Sequence, residues 1–208
     1  EILDDKKTID SIKLYAKEVK GEYDDIVVLG IGGSALGTIC LKQSLKHLYK
    51  SEIPESGVPR LHIVDNIDPV LIEEVKEIIN LKRTLFLVIS KSGSTPESMS
   101  AFLYFREEVA KQGLAINSHF VCITDPGTSP LRVIAEEEGM EVFDHPPIGG
   151  RFSVLSIVGL LPAALSGIHI DRLIAGAKEM REAFLSNNFA QNLPFQLAAV
   201  QYMLAKKG

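Results

Sequence analysis

Thr84-Leu85-Phe86-Leu87-Val88-Ile89-Ser90-Lys91-Ser92-Gly93-Ser94-Thr95-Pro96-Glu97 is the stretch whose reading decides the fold. Its first six residues form an apolar run of large and β-branched side chains, the pattern of a strand buried on both faces. Thr95 then stands in N-cap position for a helix whose first residue is Pro96, and Gly113 marks where that helix should stop. Four hydroxyls and a glycine thus occupy a strand-to-helix turn at the positive end of a helix. Hydroxyl and backbone N–H donors converging there suit a phosphate monoester, and the helix dipole favours its charge. Lys91 adds the one formal positive charge of the turn. Ser and Thr also crowd turns and caps for local hydrogen bonding alone. One hydroxyl would satisfy a cap, and Ser90, Ser92, Ser94 and Thr95 exceed that need.

Outward from this stretch, strand and helix patterns alternate. Residues 8–20 read as an amphipathic helix with Ile9, Ile12, Tyr15, Ala16 and Val19 inward, ended by Gly21. Asp25–Leu29 reads as the first strand, running into Gly30-Ile31-Gly32-Gly33-Ser34 and a helix with Leu36, Ile39, Cys40, Leu45 and Leu48 inward. Leu61–Val64 is the second strand, and Asp68 caps a helix beginning at Pro69. His119–Thr124 is the fourth strand, followed by a helix from Ser129-Pro130 to Gly139. Glu141–Phe143 is a short fifth strand leading into His145-Pro146-Pro147-Ile148-Gly149-Gly150-Arg151. After residue 152 three helical patterns close the chain, roughly 154–166, 171–185 and 194–207. Continuous apolar strands separated by helices imply an α/β fold with a parallel sheet covered on both faces. The expectation is a single domain over 1–208, with 154–208 as a mostly helical extension.

With 208 residues, 46% hydrophobic and 24% charged, the composition is that of an ordinary globular domain. A net charge of −5 argues against a nucleic-acid or anionic-membrane surface, and no run approaches membrane-spanning length. An acidic protein that binds an anion must do so with local donors, which the turn after the third strand offers. Cys40 and Cys122 lie among apolar neighbours without metal-ligand spacing, so both read as buried, reduced thiols and the chain as cytoplasmic. The chain begins at Glu1 without a Met, which reads as a piece of something longer.

In a doubly wound sheet the ligand sits at the carboxyl ends of the strands, and three loops share that edge. Gly30–Ser34 lets backbone approach a ligand closely. Gly30, Gly32 and Ala35 also fit G-x-G-x-x-A, with Asp65 placed as a ribose-binding acid would be. A nicotinamide-dependent oxidoreductase is therefore a competing reading, though it leaves the hydroxyl turn without a role. Gly149-Gly150-Arg151-Phe152-Ser153 brings a guanidinium to the same edge, or else a surface arginine paired with an acid. His145 reads as a loop or structural histidine, and His47, His62, His119 and His169 receive no role.

At these residues the chain resembles the sugar isomerase (SIS) superfamily, whose phosphosugar loop S-x-S-G-x-T is matched by Ser90, Ser92, Gly93 and Thr95. Within it the chain is similar to the glucose-6-phosphate isomerase family, through the glycine–serine loop and the motif G-G-R-[FY]-S at 149–153. The resemblance implies a flavodoxin-like, three-layer αβα sandwich with a five-stranded parallel sheet, of which this chain holds one SIS domain of two. It implies that Ser90, Lys91, Ser92 and Thr95 hold the phosphate of a hexose 6-phosphate. Gly33, Ser34 and Gly150 would line the sugar, and Arg151 would stabilise an enediolate. It implies no cofactor and no metal, and a homodimeric parent enzyme. Proton transfer between C1 and C2 needs a carboxylate base, which the family draws from an E-S-x-G-K motif. That motif is not in this sequence, and Glu97 in a helix first turn suits the dipole better. A non-enzymatic alternative is a SIS module that senses a phosphosugar and regulates a partner.

Overall fold

A computed structural model describes residues 2–47 and 57–208. Its contacts divide the chain into two compact units, 1–168 and 169–208. The last three helical patterns therefore separate: one belongs to the first unit and two make up the second.

The first unit is built on five strands: β1 (Asp25–Leu29), β2 (Arg60–Val64), β3 (Thr84–Ile89), β4 (Phe120–Thr124) and β5 (Glu141–Asp144). All neighbouring pairs are parallel, in the order β2-β1-β3-β4-β5. The α-helices of this unit are α1 (Lys6–Glu18) before β1, α2 (Gly33–Leu45), α3 (Pro69–Ile78), α4 (Pro96–Lys111), α5 (Ile116–His119) and α6 (Pro130–Glu137) between strands, and α7 (Ile157–Leu165) after β5. Every residue of β1, β3 and β4 is buried, as continuous apolar runs in a doubly covered sheet require. Alternate side chains divide between the two layers. Val27, Leu29, Phe86, Val88, Phe120 and Cys122 pack with Ile72, Phe102, Phe105 and Leu131 from α3, α4 and α6. On this side Phe86 lies between Phe105 and Phe120, with ring centroids 4.8 and 4.9 Å apart, each such pair adding about 0.5–1.5 kcal/mol to its area burial. The opposite face, with Ile26, Val28, Leu85, Leu87 and Ile123, is covered by the layer containing Ile12 of α1 and Ile157, Leu160 and Leu161 of α7.

Helix starts follow their caps. Asp68 Oδ1 accepts from Val70 N at 2.8 Å ahead of Pro69, and Ser129 Oγ accepts from Arg132 N at 3.4 Å ahead of Pro130. His119 ends α5 instead of opening β4, and its Nδ1 donates to Thr84 O at 2.8 Å.

The inward face expected for α2 is not the one observed. Ala35, Thr38 and Leu41 are buried, whereas Leu36 and Leu45 are 53% and 52% exposed. Cys40 is exposed too, a correction to its expected burial, while Cys122 is buried with its thiol pushed up to about 12 by desolvation. The reason is close backbone approach: a Cβ at Gly37 would stand 3.1 Å from Val154 Cα, so only the small-residue side of α2 fits against the chain leading into α7. Leu48 lies outside the described residues.

The second unit consists of α8 (Ile170–Leu185) and α9 (Leu193–Lys207), joined by a 3-10 turn at Phe189–Gln191. Asn192 organises the join. Its amide donates to Phe184 O and Ser186 O at 2.7 and 3.0 Å, and its Oδ1 accepts from Phe195 N at 2.9 Å. Among the described residues no helix is long and apolar enough to cross a membrane.

Candidate functional site

Strand order 2-1-3-4-5 reverses direction between β1 and β3, and the loops leaving those two strands flank the crevice where such sheets take ligands. Ser90 follows β3 directly and is 1% exposed; its N–H donates to Ile123 O at 3.0 Å, which extends the sheet pairing by one residue. The chain then turns through Gly93 at φ 60°. A Cβ there would stand 2.6 Å from Ser129 Cβ and 2.8 Å from Thr124 Oγ1, so the turn is closed to any side chain both by conformation and by space.

The four hydroxyls are bonded to one another. Ser90 Oγ donates to Thr95 Oγ1 at 3.1 Å, Ser92 Oγ and Thr95 Oγ1 are 3.3 Å apart, and Ser94 Oγ donates to Ser92 Oγ at 3.2 Å. Ser92 and Ser94 lie in the solvent-facing part of the turn. Thr95 occupies the N-cap of α4 with extended backbone, but its hydroxyl makes no cap bond. The first-turn N–H groups of this 16-residue helix therefore receive no acceptor from the cap residue, unlike those of α3 and α6. Neutral, mutually bonded hydroxyls facing solvent at a positive helix end can re-aim their protons onto an anion without a charge being displaced.

Gly32 is the N-cap of α2 at φ 56°, and Ser34 lies in that helix's first turn, its N–H donating to Ile31 O at 3.2 Å. A Cβ on Gly33 would stand 2.6 Å from Gly150 Cα and 2.8 Å from Arg151 N. Gly33 and Gly150 thus press backbone to backbone, and the loop after β5 reaches back across the sheet to the loop after β1. Ser153 fixes the far side, its Oγ donating to Gly150 O at 2.5 Å. Lys91 joins the two regions: its Nζ donates to Ile148 O at 3.0 Å. Arg151 and Phe152 project outward, Phe152 82% exposed, and Arg151 has no side-chain hydrogen bond or ion pair among the described residues. Gly33, Ser34, Ser90, Lys91, Ser92, Thr95, Gly150 and Arg151 therefore lie on three loops at one rim, tied by the Lys91–Ile148 bond and the Gly33–Gly150 contact.

The first turn of α6 carries the hydroxyl turn from beneath, a part that the sequence does not signal. Leu131 N donates to Gly93 O at 3.0 Å, and Ser129 Oγ is 3.4 Å from Thr124 Oγ1. The dipeptide Ser129-Pro130 marks only a helix start; the contact with Gly93 is long-range and leaves no local signal. His145 is 2% exposed, its Nδ1 2.7 Å from Pro146 O. Among the described residues no group of three or more His, Cys, Asp or Glu converges as metal ligands would.

The sequence profile of phosphoglucose isomerase matches residues 6–206. A glucose-6-phosphate isomerase from Carboxydothermus hydrogenoformans is 40% identical over 207 residues, covering 98% of this chain and 45% of its own length. Among solved structures, a hypothetical protein from Thermus thermophilus superposes with TM-score 0.84 at 35% identity, covering 97% of this chain and 46% of that one. A glucose-6-phosphate isomerase from Chlamydia trachomatis superposes with TM-score 0.77 at 31% identity, over 91% of this chain and 35% of that one. This chain spans about half the length of the curated relatives it matches. With the profile running over nearly its whole length, the chain belongs to the phosphoglucose isomerase family.

Proposed function

We propose that this chain is the hexose 6-phosphate-binding SIS domain of an enzyme that interconverts glucose 6-phosphate and fructose 6-phosphate through an enediolate. The observation that carries this reading is the hydroxyl cluster at the start of α4, where exposed Ser92 and Ser94 bond with half-buried Thr95 and buried Ser90 and the N-cap side chain makes no cap bond, beside the strand-order switch. In this reading the phosphate accepts from the hydroxyls of Ser90, Ser92 and Thr95 and from first-turn N–H groups. Lys91 exchanges the Ile148 carbonyl for a phosphate oxygen. Gly33, Ser34 and Gly150 then line the sugar chain, a reading supported by the close backbone approach of the two glycine loops.

Arg151 has a role that suits a guanidinium with no acidic partner among the described residues. A guanidinium not neutralised by a carboxylate can stabilise the oxyanion that develops at C1 or C2 as the proton moves. The proton itself requires a carboxylate within hydrogen-bond reach of that carbon. We assign the base to the half of the family's length that this chain does not span, and take the parent enzyme to be a homodimer acting in the cytoplasm. No cofactor enters the reaction, because the proton leaves one carbon and returns to its neighbour.

Four or five charge-assisted hydrogen bonds at about 1.5–3 kcal/mol each, set against association costs of about 4–15 kcal/mol, give binding on the order of millimolar to high micromolar. The chain alone should bind and not turn over. The test is an NMR-detected titration with 6-phosphogluconate and inorganic phosphate. Replacing Ser92 and Thr95 together by Ala should weaken both ligands by about tenfold, the equivalent of one lost net hydrogen bond or two. The double variant should keep its fold, checked by an unchanged far-UV spectrum. Unchanged phosphate affinity in that double variant would falsify the loop assignment.

A further inference from the structure

The loops that carry the hydroxyls and Arg151 leave different strands, so something must fix the distance between them. We infer that Arg132, in the first turn of α6, is a positioning residue that sets the spacing between the hydroxyl turn and the Arg151 loop; this rests on the phosphosugar reading above.

The geometry is specific. The Arg132 side chain is only 12% exposed. Its Nε donates to Asp125 O at 3.1 Å, one terminal nitrogen donates to Thr124 O at 3.3 Å and to Asp144 Oδ1 at 2.5 Å, and the other faces Glu136 at 3.4 Å. One planar guanidinium thereby grips the ends of β4 and β5, a forked arrangement that a point-like ammonium does not reproduce. Each gripped residue leads straight to the site. Asp125 N donates to Lys91 O at 3.0 Å, and Thr124 Oγ1 to the same carbonyl at 3.4 Å, so the β4 end holds the hydroxyl turn. His145, immediately after Asp144, donates its N–H to Thr124 O at 2.8 Å, and the chain from there runs through Ile148 to Gly150 and Arg151. The same first turn of α6 supplies Leu131 N to Gly93 O. Arg132 touches neither the hydroxyls nor Arg151, yet it binds the roots of both loops.

Two ligands separate positioning from general support. Inorganic phosphate reaches the hydroxyl turn alone; 6-phosphogluconate, with a carboxylate at the far end of its carbon chain, spans to Arg151. In the 208-residue chain, Arg132→Met should leave phosphate affinity within about twofold and weaken 6-phosphogluconate about fivefold, the scale of a misplaced charge-assisted contact. Arg151→Ala should show the same selectivity. Because Arg132 acts through the Arg151 loop, the double variant Arg132→Met, Arg151→Ala should be no weaker than Arg151→Ala alone. Arg132→Lys should restore less than half of the loss, since one ammonium cannot bridge two carbonyls and a carboxylate. Asp144→Asn, which frees the guanidinium at one end without removing it, gives the same selectivity at smaller size and serves if Arg132→Met does not fold. Equal weakening of both ligands, no weakening of either, or full additivity in the double variant overturns the inference. The underlying reading fails separately, if phosphate itself is indifferent to Ser92→Ala with Thr95→Ala.

Discussion

At the amino end of β1, Asp25 is fully buried and both of its carboxylate oxygens are engaged. Arg60 donates to them at 2.7 and 2.9 Å, and His62 Nε2 donates at 2.9 Å, since a carboxylate can only accept. Arg60 closes the set by donating to Ile78 O at 2.8 Å. At the carboxyl end of the neighbouring β3 the hydroxyls are neutral and bonded to one another, from buried Ser90 out to exposed Ser92 and Ser94, and the one charge of the turn, Lys91, donates to a backbone carbonyl. Both clusters sit at a rim of the same buried sheet. The difference is in what remains to be satisfied: the Asp25 cluster is saturated by its own charges and serves the fold, whereas the hydroxyl turn keeps donors that can turn to an anion. Polar residues at a sheet rim are therefore told apart by saturation rather than by type.

The hardest blow to this contrast is Asp25→Ala. It leaves a guanidinium and an imidazole N–H without their acceptor, and breaking a buried pair costs about 3–5 kcal/mol. Arg60 keeps 31% of its side chain in water, so the lower end, about 3 kcal/mol, is expected in denaturant unfolding. Phosphate affinity should stay within about twofold, because the two clusters share no residue. A comparable loss of affinity would mean that the two rims are not separable.

Gly93→Ala strikes the other rim. The residue would be held at φ 60° with its methyl against Ser129 Cβ and Thr124 Oγ1. Such backbone strain costs about 1–3 kcal/mol, and because the turn can shed part of it by re-forming, a loss of about 2 kcal/mol is expected. The sharper readout is binding: phosphate affinity should fall by about tenfold or more, the reverse of the Asp25→Ala outcome, because the turn that aims the hydroxyls no longer exists in one form. A variant that binds phosphate normally would show that the turn is not the cradle.

This split also explains what could be read from the chain. The strands were legible because a doubly covered parallel sheet demands continuous apolar runs, and β1 and β3 fall where those runs do. The helix starts at Pro69, Pro96 and Pro130 were legible because proline fits the first helical position. The hydroxyl turn was visible as an excess over what a cap needs. The buried face of α2 was not, because hydropathy favours Leu36, Ile39 and Cys40, while Gly33 and Gly37 meet Gly150 and Val154, which lie far along the chain. Nor was the bond of Lys91 to Ile148, or the grip of Arg132 on the ends of β4 and β5. Most of these are contacts to backbone carbonyls, and a carbonyl has no sequence identity to read.

The smallest effect, and the finest test of the contrast, is in pH. Burial alone would raise the Asp25 carboxyl, but the hydrogen bonds from His62 and Arg60 outweigh it and hold the group below its ordinary value. The folded state then binds fewer protons than the unfolded one around and below about pH 4, where a free aspartate has its midpoint near ~3.9, so stability falls as pH falls through that window. Asp25→Asn, less stable at neutral pH, should have a flatter acid limb, and the two curves should converge on descending below about pH 4. The hydroxyl rim should be silent there, because Ser and Thr do not titrate. Its pH dependence belongs to the ligand, whose second phosphate ionisation lies near about 6, so affinity for a phosphate monoester should rise through that pH equally in the parent chain and in Asp25→Asn. Stability that answers to protons in the carboxylate range and binding that answers to them in the phosphate range would locate two separate tasks at opposite ends of one sheet; a binding curve that shifted with Asp25→Asn would join them.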